Sequence, residues 1–141
     1  MLKAKNPKFK ERVLEKLKGQ AFMRLMGMQI DSIEEGVVRG SVAFTDDLQQ
    51  QDGIMHGGAL ATAADIVAGF AAYTLVEETE RVVTAEIKIS YLRAAKGAKI
   101  EAIGKVLKAG SRFSFVESEL YAVDGDKRTL VVKANTTMAV I

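Results

Sequence analysis

The sequence has no cysteine. That excludes disulfides, thiolate metal sites and a cysteine nucleophile. Histidine occurs once, at His56, so a multi-histidine metal site is excluded too. A Ser-His-Asp triad would have to use His56, and no nucleophile elbow accompanies it. Neither sign of charge dominates. Twenty basic residues against 18 acidic ones leave a net charge of +2, too even to imply a nucleic-acid partner. Residues 1–6, MLKAKN, lack the apolar core of a signal peptide. Outside one central stretch, no run approaches the ~20 apolar residues of a membrane span. These absences leave carboxylate chemistry, in a single cytoplasmic domain over residues 1–141 that engages no membrane.

What is present is ordinary for a globular chain: 48% hydrophobic and 27% charged residues, in a length that supports a sizeable core. Lys3, Lys5, Lys8, Lys10, Arg12, Lys16 and Lys18 crowd the start. They read as a solvated helix face, with a phosphate-attracting patch as the other reading.

The chain is organised around residues 50–76, QQDGIMHGGALATAADIVAGFAAYTLV. Apolar residues encircle this stretch, which predicts a helix buried on all sides. From Gly53 to Val76 its only carboxylate is Asp65. An unpaired carboxylate in such a place is costly, so a partner or a cleft is expected beside it. A purely structural aspartate, bonded to a backbone N–H or facing a subunit contact, fits the residue type equally well.

Gly57 and Gly58 follow His56 at the start of this stretch. The first N–H groups of a helix lack intrahelical partners, and the macrodipole adds partial positive charge. Glycines there admit close approach by another molecule, which suits a carbonyl oxygen that becomes an oxyanion. They also simply ease a tight turn. His56 and Asp65 are nine positions apart, hence on opposite helix faces and ~13 Å apart along the axis. They form no dyad within one helix. A site using both the entrance and Asp65 needs a second copy of the helix, which predicts a symmetric dimer.

Gly53-x-x-His56-Gly57-Gly58 followed by Asp65 resembles the hotdog-fold acyl-CoA thioesterases of the phenylacetic-acid-degradation (PaaI-type) family. The resemblance runs from about Phe22 to the end. It includes residues 22–28, FMRLMGM, and residues 90–93, SYLR. It implies an α+β fold in which an antiparallel sheet wraps a long central helix. It also implies hydrolysis of aryl- or medium-chain acyl-CoA thioesters, with coenzyme A present only as part of the substrate and no separate cofactor. Asp65 would be nucleophile or general base, and the Gly57 N–H of the other subunit would polarise the carbonyl. His56 and Gly58 belong to the same entrance. Gln50 stands where the family commonly has Asn, keeping an amide donor and acceptor to place water or carbonyl. Thr84 matches a Ser or Thr that joins the site from the next strand. Homodimers with sites at the interface, paired again into tetramers, are expected.

Asn6 and Pro7 predict a helix start, and Phe9, Val13 and Leu17 give it one apolar stripe. A second helical piece spans 21–26, stopped at Gly27, with Phe22, Leu25 and Met26 directed at the core or an acyl pocket. Strands are predicted at 28–34, 37–44, 82–93, 98–108, 112–123 and 127–140. In the third, a period of two places Ala85, Ile87, Ile89 and Tyr91 on one face. The opposite face then carries Thr84, Glu86, Lys88 and Ser90. Coenzyme A phosphates need cations near strand ends, for which Arg93, Lys108, Ser111 and Arg112 are the candidates. Three readings compete with hydrolysis: a hotdog hydratase or dehydratase, a non-catalytic acyl-CoA-binding protein, and a structural or interaction protein that keeps the fold without the chemistry.

Overall fold

Alternation of buried and exposed side chains builds the long strands. In residues 113–124, Ser114, Val116, Ser118, Leu120 and Ala122 are buried, while the residues between them are exposed or half-buried. The computed structural model describes residues 2–141. In chain order it contains α1 (Phe9–Leu17), α2 (Ala21–Met26), β1 (Met28–Glu34), β2 (Val37–Ala43), α3 (Gly57–Tyr73), β3 (Val82–Tyr91), β4 (Lys99–Ala109), β5 (Phe113–Asp124) and β6 (Lys127–Val140). The six strands form one antiparallel sheet in the order β1-β2-β4-β5-β6-β3, leaving β1 and β3 as edges.

The helix α3 packs chiefly on β4 and β5. Its alanines Ala63, Ala64, Ala68 and Ala71 are fully buried and allow a close approach to the sheet. The contact is backbone to backbone at Gly104, where an added Cβ would stand 2.4 Å from the Val67 carbonyl oxygen. Ser118, paired with Gly104 across β4 and β5, donates its hydroxyl to the Ala64 carbonyl at 3.0 Å. The far end of α3 is tied down twice. The buried Thr74 hydroxyl donates to Ala71 O at 2.7 Å and accepts the Gly36 N–H at 2.8 Å. From α1, the Arg12 guanidinium donates to the carbonyls of Val76 and Glu80 and stacks on the Tyr73 ring, 4.1 Å from its centroid. A cation at a helix C-terminus also complements the macrodipole.

Two sequence expectations change. The helix α1 begins at Phe9, after Lys8 and not after Asn6. The Asn6 side chain instead accepts the Lys8 N–H at 2.8 Å, closing a turn upstream of the helix. Second, α3 is not buried all round. Thr62, Asp65, Ile66 and Gly69 are only half-buried, and their spacing of three and four marks one open face. The sheet covers one side of α3 and α1 reaches only its end, so this stripe is only partly covered within the protomer. No helix among the described residues is long and apolar enough to cross a membrane.

Candidate active site

Asp65 sits on that open face, and the Thr84 hydroxyl donates to its Oδ1 at 2.6 Å. The other carboxylate oxygen has no hydrogen-bond partner among the described residues. Strict alternation directs Thr84 away from the helix, with Glu86 and Lys88; the structure reverses this. The β3–β6 register runs Ile89 to Ala134 and Ile87 to Thr136, then slips so that Glu86 meets Thr137 and Thr84 meets Met138. Ala134, Thr136 and Met138 are all buried. The extra residue, Ala85, is a β-bulge that turns Thr84 onto the helix side of the strand. The bulge therefore creates the Thr84–Asp65 contact.

Beside this pair is a cavity of about 490 Å³, with Phe22, Ile66, Gly69, Phe70 and Met138 in its wall. The helix α2 divides its apolar residues. Met23 and Met26 enter the core, Phe22 remains 58% exposed and walls the cavity, and Leu25 is 81% exposed. A short helix against a sheet buries one stripe, and Phe22 and Leu25 lie off it.

The entrance of α3 is built separately. The loop before it is held by hydrogen bonds from His56 N to Leu48 O at 2.7 Å and from Met55 N to Ala95 O at 3.0 Å. His56 is the N-cap in an extended conformation, and its Nδ1 accepts the Gly58 N–H at 2.8 Å. His56 thus uses the Gly58 N–H, and the Gly57 N–H is left without a partner among the described residues. The Tyr91 hydroxyl donates to Gly57 O at 2.8 Å and fixes the first turn of the helix against the end of β3. Sequence reasoning placed Tyr91 on the apolar face of its strand but gave it no part in the entrance. Gln50 stands in the preceding loop, where its side-chain oxygen accepts the Asp52 N–H and its backbone N–H donates to Ile54 O at 2.9 Å.

Asp65 lies eight residues beyond Gly57, ~12 Å along the axis. One protomer therefore contains both halves, the acid and the free donor, at a separation too large for one carbonyl group. The charged candidates are divided as well. Arg93 follows β3 near the entrance and donates to Leu130 O at 3.1 Å. Lys108, Ser111 and Arg112 stand at the β4–β5 connection, and Ser111 shares a cavity of about 250 Å³ with Leu75 and Val76, past the far end of α3. Within a protomer Arg93 therefore stands apart from Lys108, Ser111 and Arg112, at the other end of the 17-residue helix and roughly 25 Å away.

A six-stranded antiparallel sheet with a long helix packed against it is the architecture of the hotdog thioesterase fold. Residues 52–129, more than half of the chain, match the family model of the thioesterase superfamily. The chain belongs to that superfamily and is a thioester hydrolase. It is similar to the medium/long-chain acyl-CoA thioesterase YigI of Escherichia coli K12, with 24% identity over 84% of each chain. Among solved structures, a thioesterase family protein from Silicibacter pomeroyi superposes with a TM-score of 0.92 and 26% identity, covering 94% of this chain and 98% of the other. The PaaI protein of the Escherichia coli phenylacetic acid degradation operon superposes at 0.86 with 18% identity, over 95% and 94% of the two chains. At that identity the likeness supports the fold alone.

Proposed function

We propose that this thioester hydrolase cleaves aryl- or medium-chain acyl-CoA thioesters to the free acid and coenzyme A, as a single cytoplasmic PaaI-type domain. The observation that carries the reading is the Thr84–Asp65 hydrogen bond at a cavity with an apolar middle. Thr84 orients one carboxylate oxygen and leaves the other for chemistry. As general base, Asp65 takes a proton from water, the hydroxide adds to the thioester carbonyl, and collapse of the adduct expels the thiolate. As nucleophile, its free oxygen adds to the carbonyl and the thiolate leaves, giving an anhydride that water opens. Both routes build negative charge on the carbonyl oxygen, and an unpartnered N–H at a helix N-terminus suits that charge.

The donor comes from a second copy. The strand β3 is an edge, with its outer side unpaired in the protomer. It runs alongside α3, with Tyr91 at Gly57 and Thr84 at Asp65. Two copies joined along β3 about a two-fold axis level with Ala61 set Gly57 of one opposite Asp65 of the other. The same operation brings the Arg93 end of one copy toward the Arg112 end of its partner. Further pairing of dimers gives the tetramer expected of the family.

The test is thiol release from phenylacetyl-, hydroxyphenylacetyl-, benzoyl- and medium-chain acyl-CoAs, followed with a thiol-reactive dye. Turnover of at least one supports the reading; release from none contradicts it. In the same assay Thr84→Val should lower kcat about tenfold, the worth of one hydrogen bond to a charged group at ~1.5 kcal/mol. Unchanged turnover would remove Thr84 from the site.

A further inference from the structure

The cavity beside Asp65 does not end in apolar residues. It runs along the open face of α3 to Tyr73, eight residues further on and ~12 Å along the axis. Lys16, Gln20 and Arg81 also line it. Among the described residues neither Lys16 nor the Arg81 guanidinium has an ion-pair or hydrogen-bond partner, and the Gln20 amide has none either. The Tyr73 hydroxyl is buried with no partner, in a side chain only 5% exposed. Asp65 is the only carboxylate that lines this cavity. The acids of the adjoining cleft, Glu11, Glu15 and Glu78, do not line it, and Glu15 is held by Lys18 at 2.7 Å.

The arrangement is an acid at one end, an apolar middle, and two cations with the Gln20 amide at the other. We infer that the cavity selects acyl groups that end in a carboxylate, that is, dicarboxylic acid monothioesters of medium length. The reacting carbonyl lies at Asp65, methylenes lie along Ile66, Gly69 and Phe70, and the distal carboxylate accepts from Arg81 and Lys16. An extended eight-carbon chain spans ~9 Å from carbonyl to carboxylate carbon, and one hydrogen bond of ~3 Å completes the ~12 Å. The inference rests on the thioesterase reading and names its substrate class. Coenzyme A phosphates are the other anions that such cations attract, and the test separates the two.

Thiol release is measured for the coenzyme A monothioester of octanedioic acid and for octanoyl-CoA, with wild type and Arg81→Met. Wild type should show kcat/KM at least about tenfold higher for the carboxylated substrate, and Arg81→Met should reduce the ratio to below about threefold. Calorimetry reads the same ratio without turnover, as dissociation constants of both thioesters and of free coenzyme A for the Asp65→Asn protein with and without Arg81→Met. A distal carboxylate site predicts that Arg81→Met weakens only the carboxylated thioester. Equal weakening of both thioesters and of coenzyme A assigns the cations to phosphate and overturns the inference. So does octanoyl-CoA binding as tightly as the carboxylated thioester. Absence of thiol release from both, with the calorimetric preference intact, sinks the thioesterase reading and leaves the carboxylate preference standing.

Discussion

Asp65→Asn should lower kcat for thiol release at least a hundredfold while leaving the fold intact. General-base catalysis contributes roughly 10²–10⁴-fold, and loss of a nucleophile costs at least as much. Asn is nearly isosteric, and its carbonyl oxygen can still accept the Thr84 hydroxyl that Asp65 accepts at 2.6 Å. What it lacks is the charge, and with it the ability to take a proton or attack a carbonyl. Stability should change little, because Asp65 is half-buried and forms no ion pair among the described residues. The measurement is steady-state thiol release beside a far-UV circular dichroism melt. A folded variant with turnover near wild type would return Asp65 to a structural role.

Gly104→Ala should have the largest effect on stability, about 3 kcal/mol, which lowers the melting temperature by roughly 10 °C. The new Cβ would meet Val67 O at 2.4 Å, Val67 C at 2.5 Å and Ala68 N at 2.8 Å. All three are backbone atoms of α3, so no rotamer change relieves the overlap and the helix must lift from β4. Lifting strains the Ser118–Ala64 bond on the neighbouring strand. It also moves Asp65 relative to Thr84, since one is on the displaced helix and the other on β3. Activity should therefore fall in the folded fraction too. Gly57→Ala is the control, because a Cβ there meets only the Tyr91 ring, at an ordinary 3.4 Å. A thermal melt of Gly104→Ala within a degree or two of wild type would mean that α3 does not rest on the strand backbone.

Much of this architecture was legible in the sequence because it depends on local periodicity and turn chemistry. All six strands fall within two residues of where alternation places them, and Gly27 ends α2 in the left-handed conformation, at φ 72°. What escaped depends on register and on which neighbour covers which face. Ala85 continues the apolar alternation of its strand, so no residue type announces the bulge that reverses Thr84. An all-apolar helix does not tell which side the sheet will take, and the stripe through Thr62, Asp65 and Gly69 looks as buried in sequence as the stripe that packs on β4. The separation of Arg93 from Arg112 is a property of topology, since only the sheet order reveals that their turns lie at opposite ends of α3. By contrast, the nine-residue spacing of His56 and Asp65 already ruled out a dyad within one helix, because that inference needs only the helical repeat.

The central claim is that each site takes Asp65 from one copy and the Gly57 N–H from another. The direct measurement is thiol release by a mixture of two inactive variants, Asp65→Asn and Gly57→Pro, unfolded and refolded together at equal concentration. Proline suits this position, since Gly57 is the first residue of α3 and His56 before it has the extended backbone that precedes proline. The substitution therefore removes the N–H with little disturbance to the helix. A hybrid dimer has one site with both defects and one with neither, and half of the dimers in a random mixture are hybrid. The mixture should recover about a quarter of wild-type activity, as two-fold symmetry with shared sites requires. Activity no greater than the average of the two variants alone would show that each copy carries a complete site and would contradict the split-site account.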